Sequence, residues 1–214
     1  MSAPGEKETA RVEAFSDGVF AIAVTLLVLE IRVPHVEAAR LPAALLALWP
    51  SYFALVTSFF TISVMWLNHH RMFSYLGRTD ARLLLLNGLL LLGITFVPFP
   101  TAVVAAYLGQ PGQRAAACFL AVVYVGMAIA FNLLWRYASS EAREPRLLHA
   151  HANLEEVRAI RDAYRWGPLY YLGTLALSLV DGRLGVASNL ALAVYWALPP
   201  RRGNGGEASL SAGR

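Results

Sequence analysis

Apolar residues in this chain come in long blocks, not in the two-residue alternation of half-buried strands or the single stripes of surface helices. The blocks fall at about 12-33, 42-67, 83-108, 115-138, 165-180 and 184-198, and several exceed the roughly 18 to 20 residues a helix needs to cross hydrocarbon. A helix satisfies its own backbone hydrogen bonds, so such blocks predict an all-α integral membrane protein with six transmembrane helices. The last two blocks are short and must extend into flanking sequence or thin the bilayer locally. Asp181-Gly182-Arg183 between them predicts a tight helical hairpin. The first block is too long for a signal-peptide core and is not followed by a convincing cleavage site, so it is expected to be retained. No internal repeat is visible.

Composition agrees with the pattern: 57% of the 214 residues are hydrophobic and 15% charged, far from the balance of a soluble domain. The net charge of +4 does not point to nucleic acid, because the arginines sit in the joints between apolar blocks. With the N-terminus inside, the cytoplasmic side carries Lys7, Arg11, Arg71, Arg78, Arg82, Arg136, Arg143, Arg146, Arg158, Arg161, Arg165, Arg201, Arg202 and Arg214. The opposite side carries only Arg32, Arg40, Arg114 and Arg183. Cytoplasmic loops hold the basic excess, so both termini are expected in the cytoplasm and the protein in the cell inner membrane. In the joint from Arg136 to Arg165, the near-helical spacing of Leu147, Leu154, Val157, Ile160 and Tyr164 predicts a cytoplasmic amphipathic helix leading into span five. One six-helix transmembrane domain, 1-198, is thus followed by a polar tail, 199-214, expected to be disordered. The single cysteine, Cys118, excludes an intrachain disulfide and reads as a packing residue.

Candidate chemistry is concentrated at the start of the first block, RVEAFSDGVFAIAVTLLVLEI. An ionised Asp17 facing lipid would cost several kcal/mol, so it must face protein or water. Two readings fit: Ser16 or Asp17 caps a shorter helix starting at Gly18, or Arg11, Ser16 and Asp17 belong to a buried polar network. Further on, Ile22, Leu26 and Leu29 share a helical face with Thr25, a greasy stripe bearing one hydroxyl. Packing explains such a stripe, and so does the wall of a pore with a hydrophobic constriction. The end of the second block, VMWLNHHRMF, offers Trp66, Asn68, His69 and His70. Consecutive histidines diverge by about 100° around a helix and cannot easily ligate one metal, so hydrogen bonding to the first helix is the more credible role. His149 and His151 receive no role. Pro98 and Pro100 in FVPFPT predict a kink in the third span. There is no phosphate-binding glycine loop, zinc motif or nucleophile elbow, so the chain does not read as an enzyme and implies no cofactor.

Arg11-x-x-x-Phe15-Ser16-Asp17 followed by GVFAIAVTLLVLEI resembles the signature of the transmembrane protein 175 potassium channel family, in its prokaryotic, single-repeat branch. Trp66-x-Asn68-His69-His70 and FVPFPT are similar to that family's later motifs. The resemblance implies a potassium-permeable cation channel, a homotetramer of six-span subunits around a central pore lined by the first helix of each. It implies that Ile22 is the principal constriction, Leu26 and Leu29 are further apolar rings, and Thr25 is the hydroxyl tied to potassium preference. It also implies that Arg11, Phe15, Ser16, Asp17, Trp66, Asn68 and one or both of His69 and His70 form the network holding the pore helix. The partners implied are potassium ions, the bilayer and identical subunits, with no metal beyond transient potassium in the pore. No TVGYG-type loop is present, so selectivity is expected to come from a side-chain throat and to be modest. Glu30 is expected either to concentrate cations or to pair with Arg32 at the interface. A proton-coupled transporter using Asp17 and the histidines, or a non-conducting scaffold, are the competing functions.

Overall fold

The computed structural model describes residues 4–142 and 146–197, and apart from one isolated bridge between Leu76 and Leu148 their regular structure is helical. The tail expected to be disordered lies outside the described residues, as do Arg143, Arg201, Arg202 and Arg214. Helix α1 (Pro4–Leu26) runs on into a 3-10 turn, Leu27–Glu30. The start at Pro4 removes the shorter alternative in which Ser16 or Asp17 caps the helix, since both lie inside it.

The second apolar block is divided between α2 (Leu41–Ala47) and α3 (Trp49–Phe73). Pro50, without an amide proton, sits in the first turn of α3, where the lost bond costs nothing. The helix then runs six residues past the expected end at Leu67, because the polar sequence there finds partners on other helices. The third block breaks where the prolines predict: α4 (Ala81–Phe96) and α5 (Pro98–Tyr107) meet at Val97. Helix α6 (Gln113–Ala138) follows Gly112, whose φ of 102° suits glycine. The long joint contains α7 (Leu154–Tyr164), capped by Asn153, whose Oδ1 accepts from the amides of Glu155 and Glu156. Helices α8 (Gly167–Val180) and α9 (Gly182–Ala197) form a hairpin.

Among the described residues, four stretches are long and apolar enough to cross a membrane: Lys7–Glu30, Trp49–Phe73, Ala81–Tyr107 and Gln113–Ala138. The hairpin helices have 14 and 16 residues, or about 21 and 24 Å at 1.5 Å per residue. Their turn is fixed by Asp181, whose Oδ1 accepts from the amides of Arg183 and Leu184 at 2.8 and 3.2 Å while Oδ2 accepts from Gln113 Nε2 at 3.3 Å. Helix α6 is the spine, packed against α4, α8 and α9, and its Leu120, Tyr124, Leu134 and Trp135 are all buried.

Inside the bundle the Tyr124 hydroxyl donates to Ser58 (3.0 Å), Ser58 pairs with Thr101 (2.7 Å), and Thr101 donates to the Val97 carbonyl at the kink (2.8 Å). Each hydroxyl passes its proton onward, so the relay ties α3, α5 and α6 together without stranding a donor in an apolar interior. At one end, the amides of Gly77 and Arg78 donate to the Leu147 carbonyl, and the His149 amide donates to the Tyr75 carbonyl. These bonds clamp the α6–α7 joint onto the α3–α4 loop. Tyr75 Oη donates to Glu156 Oε2 at 2.9 Å, and burial pushes the Tyr75 phenol up, so it stays protonated as that donor.

A Cβ added to Gly182 would lie 2.6 Å from the Gln113 backbone oxygen, whereas one added to Gly126 would meet nothing within 4 Å. Gly182→Ala is therefore expected to cost about 1–3 kcal/mol by overpacking the hairpin against α6. Gly126→Ala should cost nothing. Thermal unfolding in detergent, with both variants side by side, measures the difference.

A candidate pore helix and the polar cluster behind it

Helix α1 has two faces of opposite character. Ser16, Phe20, Ala23 and Leu27, spaced as one helical face, are buried against the rest of the subunit. The opposite face carries Ala14, Phe15, Gly18, Ala21, Ile22, Thr25, Leu26 and Leu29, all exposed. Phe15, Ile22 and Leu29 are 67%, 60% and 72% exposed, and Leu26 is 38% exposed. Thr25 Oγ1 donates to the Ile22 carbonyl at 2.9 Å, so its proton is used within the helix and its oxygen can still accept from outside.

The buried face is fixed by polar contacts in two groups. Helices α1 and α3 run antiparallel there, and two acidic residues one turn apart face Trp66 and His70, also one turn apart. Trp66 Nε1 donates to Asp17 Oδ1 at 2.8 Å, and His70 Nδ1 lies 2.8 Å from Glu13 Oε1. The Trp66 and His70 rings stack with centroids 6.3 Å apart. Deeper in, Asn87 of α4 bridges the other two helices: its Nδ2 donates to Ser16 Oγ at 2.9 Å, and its Oδ1 lies 2.9 Å from His69 Nε2. Ser16 in turn donates to the Val12 carbonyl at 2.8 Å. That chain of donors leaves Asn87 Oδ1 to face His69, which assigns the imidazole proton to Nε2. His69 is fully buried between Phe73, stacked at 4.3 Å, and Phe20 at 5.4 Å.

Of the residues expected to form one network, Ser16, Asp17, Trp66, His69 and His70 come together, and the two histidines have different partners. Asn68 points the other way and accepts from Tyr164 Oη at 2.8 Å. Burial pushes the Tyr164 phenol up to about 12, so it remains the donor. Arg11 is exposed and bonds to no described residue, and Phe15 lies on the uncovered face. Sequence reasoning passed over Glu13 and Asn87. Asn87 was visible as a lone amide in ARLLLLNGLLLLG, and Glu13 as the residue one helical turn before Asp17. Among the described residues no group of His, Cys, Asp and Glu is arranged to hold a metal ion.

The helices that build this arrangement are the ones a family pattern recognises: residues 11–98 match the family described as "Endosomal/lysosomal potassium channel TMEM175". A potassium channel of Chamaesiphon minutus is 52% identical over 201 residues, covering 92% of this chain and 98% of the relative. This chain belongs to the TMEM175 family. A potassium channel of Streptomyces collinus is 44% identical over 191 residues, covering 88% of this chain and 91% of the relative. The crystal structure of a lysosomal potassium-selective channel TMEM175 homolog from Chamaesiphon minutus superposes with a TM-score of 0.80 at 50% identity, covering 89% of this chain and 97% of that one. The resemblance read from Arg11-x-x-x-Phe15-Ser16-Asp17 thus holds over nearly the whole chain, in the prokaryotic branch of TMEM175. The protein is a multi-pass membrane protein of a channel family and not an enzyme.

Removing the Asn87 amide would leave the His69 Nε2 proton without an acceptor and take from Ser16 Oγ its donor in the interior of this TMEM175 subunit. Asn87→Ala is expected to cost about 1–2 kcal/mol, the upper part of the range for hydrogen bonds between membrane helices. Because Ser16→Ala removes one of the same bonds, the double variant should cost less than the two single variants together. Detergent unfolding of the four proteins in this cycle gives the coupling; additive losses would mean the bridge contributes nothing.

Proposed function

We propose that this TMEM175-family protein is a potassium-permeable channel built from four copies of the chain, with α1 of each copy lining a central pore. In this reading the chain crosses the cell inner membrane six times, α8 and α9 being the last two crossings, with both termini cytoplasmic. The family and its potassium-channel relatives support the ion. The observation that carries the architecture is the uncovered face of α1: large apolar side chains stand exposed on a helix whose other face is fastened by polar contacts to α3 and α4.

Fourfold repetition turns each residue on that face into a ring. Small residues at Ala14, Gly18 and Ala21 let neighbouring helices approach, and Ile22, Leu26 and Leu29 supply successive apolar rings. A throat of isoleucine at Ile22 excludes water when narrow, and a slight rotation or splay of α1 rewets it. Thr25, one turn beyond, offers the oxygens at which a partly dehydrated potassium ion regains ligands. The contacts of Glu13, Ser16 and Asp17 hold α1 at the rotation that keeps this face on the axis.

Planar-bilayer recording of the purified protein in a potassium gradient tests the reading. Currents should reverse near the potassium equilibrium potential, and Ile22→Asn should raise the conductance severalfold by hydrating the throat. Saturable, coupled flux would instead identify a transporter. A folded Ile22→Asn oligomer with unchanged conductance would remove Ile22 from the constriction.

A further inference from the structure

A groove of about 640 Å³ runs along the outer side of the α8–α9 hairpin, lined by Tyr170, Gly173, Thr174 and Leu177 of α8 and by Ser188, Ala191, Leu192 and Tyr195 of α9. We propose that this groove binds an anionic phospholipid, one acyl chain lying between α8 and α9 and the phosphate held by Arg165 at the aromatic end.

The floor is apolar despite its hydroxyls. Thr174 donates to the Tyr171 carbonyl at 2.8 Å and Ser188 to the Gly185 carbonyl at 2.7 Å, so both protons are turned into their own helices. The two hydroxyls then offer acceptor lone pairs but no proton, and the rest of the floor, Gly173, Leu177, Ala191 and Leu192, is apolar and fits a hydrocarbon chain. Gly173 opens the middle of the groove, since a Cβ there would meet no atom within 4 Å. The flanking side chains Leu177, Leu179, Val180, Leu184 and Val194 are exposed and apolar, the surface of a hairpin immersed in hydrocarbon.

One end of the groove changes chemistry. Trp166, at the cap of α8, and Tyr170, four residues on, lead out of it, and Tyr170 packs on Tyr195 and Trp196 at 6.0 and 5.9 Å. Tryptophan and tyrosine at a helix end mark the headgroup level. The Arg165 guanidinium lies over the Trp166 ring at 4.8 Å. Its only described ionic contact is with Asp162 at 3.8 Å, and both side chains are more than half exposed, so the charge stays available to a phosphate. A second copy fits less well: in the fourfold assembly proposed above the copies meet around α1, and a further twofold contact through this face would bring Arg165 toward Arg165.

The inference needs the hairpin to lie in the bilayer and does not depend on whether the pore conducts. The experiment is native mass spectrometry of the detergent-solubilised full-length protein titrated with dioleoyl phosphatidylglycerol or dioleoyl phosphatidylcholine. The wild-type protein should retain phosphatidylglycerol in preference. Arg165→Gln should weaken that retention about fivefold, the weight of one basic side chain at an anionic surface, and leave phosphatidylcholine unchanged. Gly173→Leu fills the groove and should abolish retention of both lipids, while Gly126→Leu, at an equally open glycine on α6, should not. Equal retention by Gly173→Leu and Gly126→Leu, or no preference between headgroups in the wild-type protein, would overturn the proposal. A change in oligomer mass with Gly173→Leu would also overturn it, by making the groove an interface between copies.

Discussion

The orientation of α1 depends on one constraint, that polar groups inside an apolar bundle must find each other. Glu13, Ser16 and Asp17 occupy adjacent positions on one side of the helix, and their partners come from two others, Trp66 and His70 on α3 and Asn87 on α4. A single hydrogen bond between membrane helices contributes only about 0.6 kcal/mol on average, so the contacts matter less as adhesion than as a choice among rotations. Turning α1 half a revolution would pull Ser16 and Asp17 away from Asn87 and Trp66 and leave the buried Asn87 amide unsatisfied, at about 1–3 kcal/mol for such a group. The penalty for the wrong face exceeds the gain from the right one, and that asymmetry leaves Ile22, Thr25 and Leu29 uncovered.

Much of this was legible in the sequence. Block lengths announce helices long enough to span a membrane, Pro98 predicts the break at Val97, and the Arg11 motif points to the family. The end of the second helix was misjudged at Leu67 because hydropathy falls at Asn68-His69-His70, and hydropathy does not record that each of these side chains has a partner on another helix. The same ten residues held a finer signal in their period. Trp66, His69, His70 and Phe73 follow i, i+3, i+4, i+7 and share a face, while Asn68 falls on the opposite one. Periodicity therefore separates Asn68 from the cluster where the family resemblance had joined them. Which helix supplies Asn87 is different in kind: a lone amide in a leucine run announces that it needs a partner, but only the packed bundle brings it between Ser16 and His69.

The last turns of α3 consequently serve two directions at once. On one side Trp66, His69 and His70 grip the helix whose other face is uncovered, and on the other Asn68 accepts the buried hydroxyl of Tyr164 at the end of α7. Helix α7 is itself clamped to the α3–α4 loop through Tyr75 and Glu156, and its joint to that loop by the backbone bonds of Leu147 and His149. The joint, α7 and the end of α3 thus share a contiguous set of contacts that ends on α1. A displacement of α7 that keeps the Tyr164–Asn68 hydrogen bond reaches the cluster around Asp17 unless α3 bends between Asn68 and Trp66. Those two residues lie within a single helical turn, where backbone hydrogen bonding resists a bend that no proline or inserted side chain relieves.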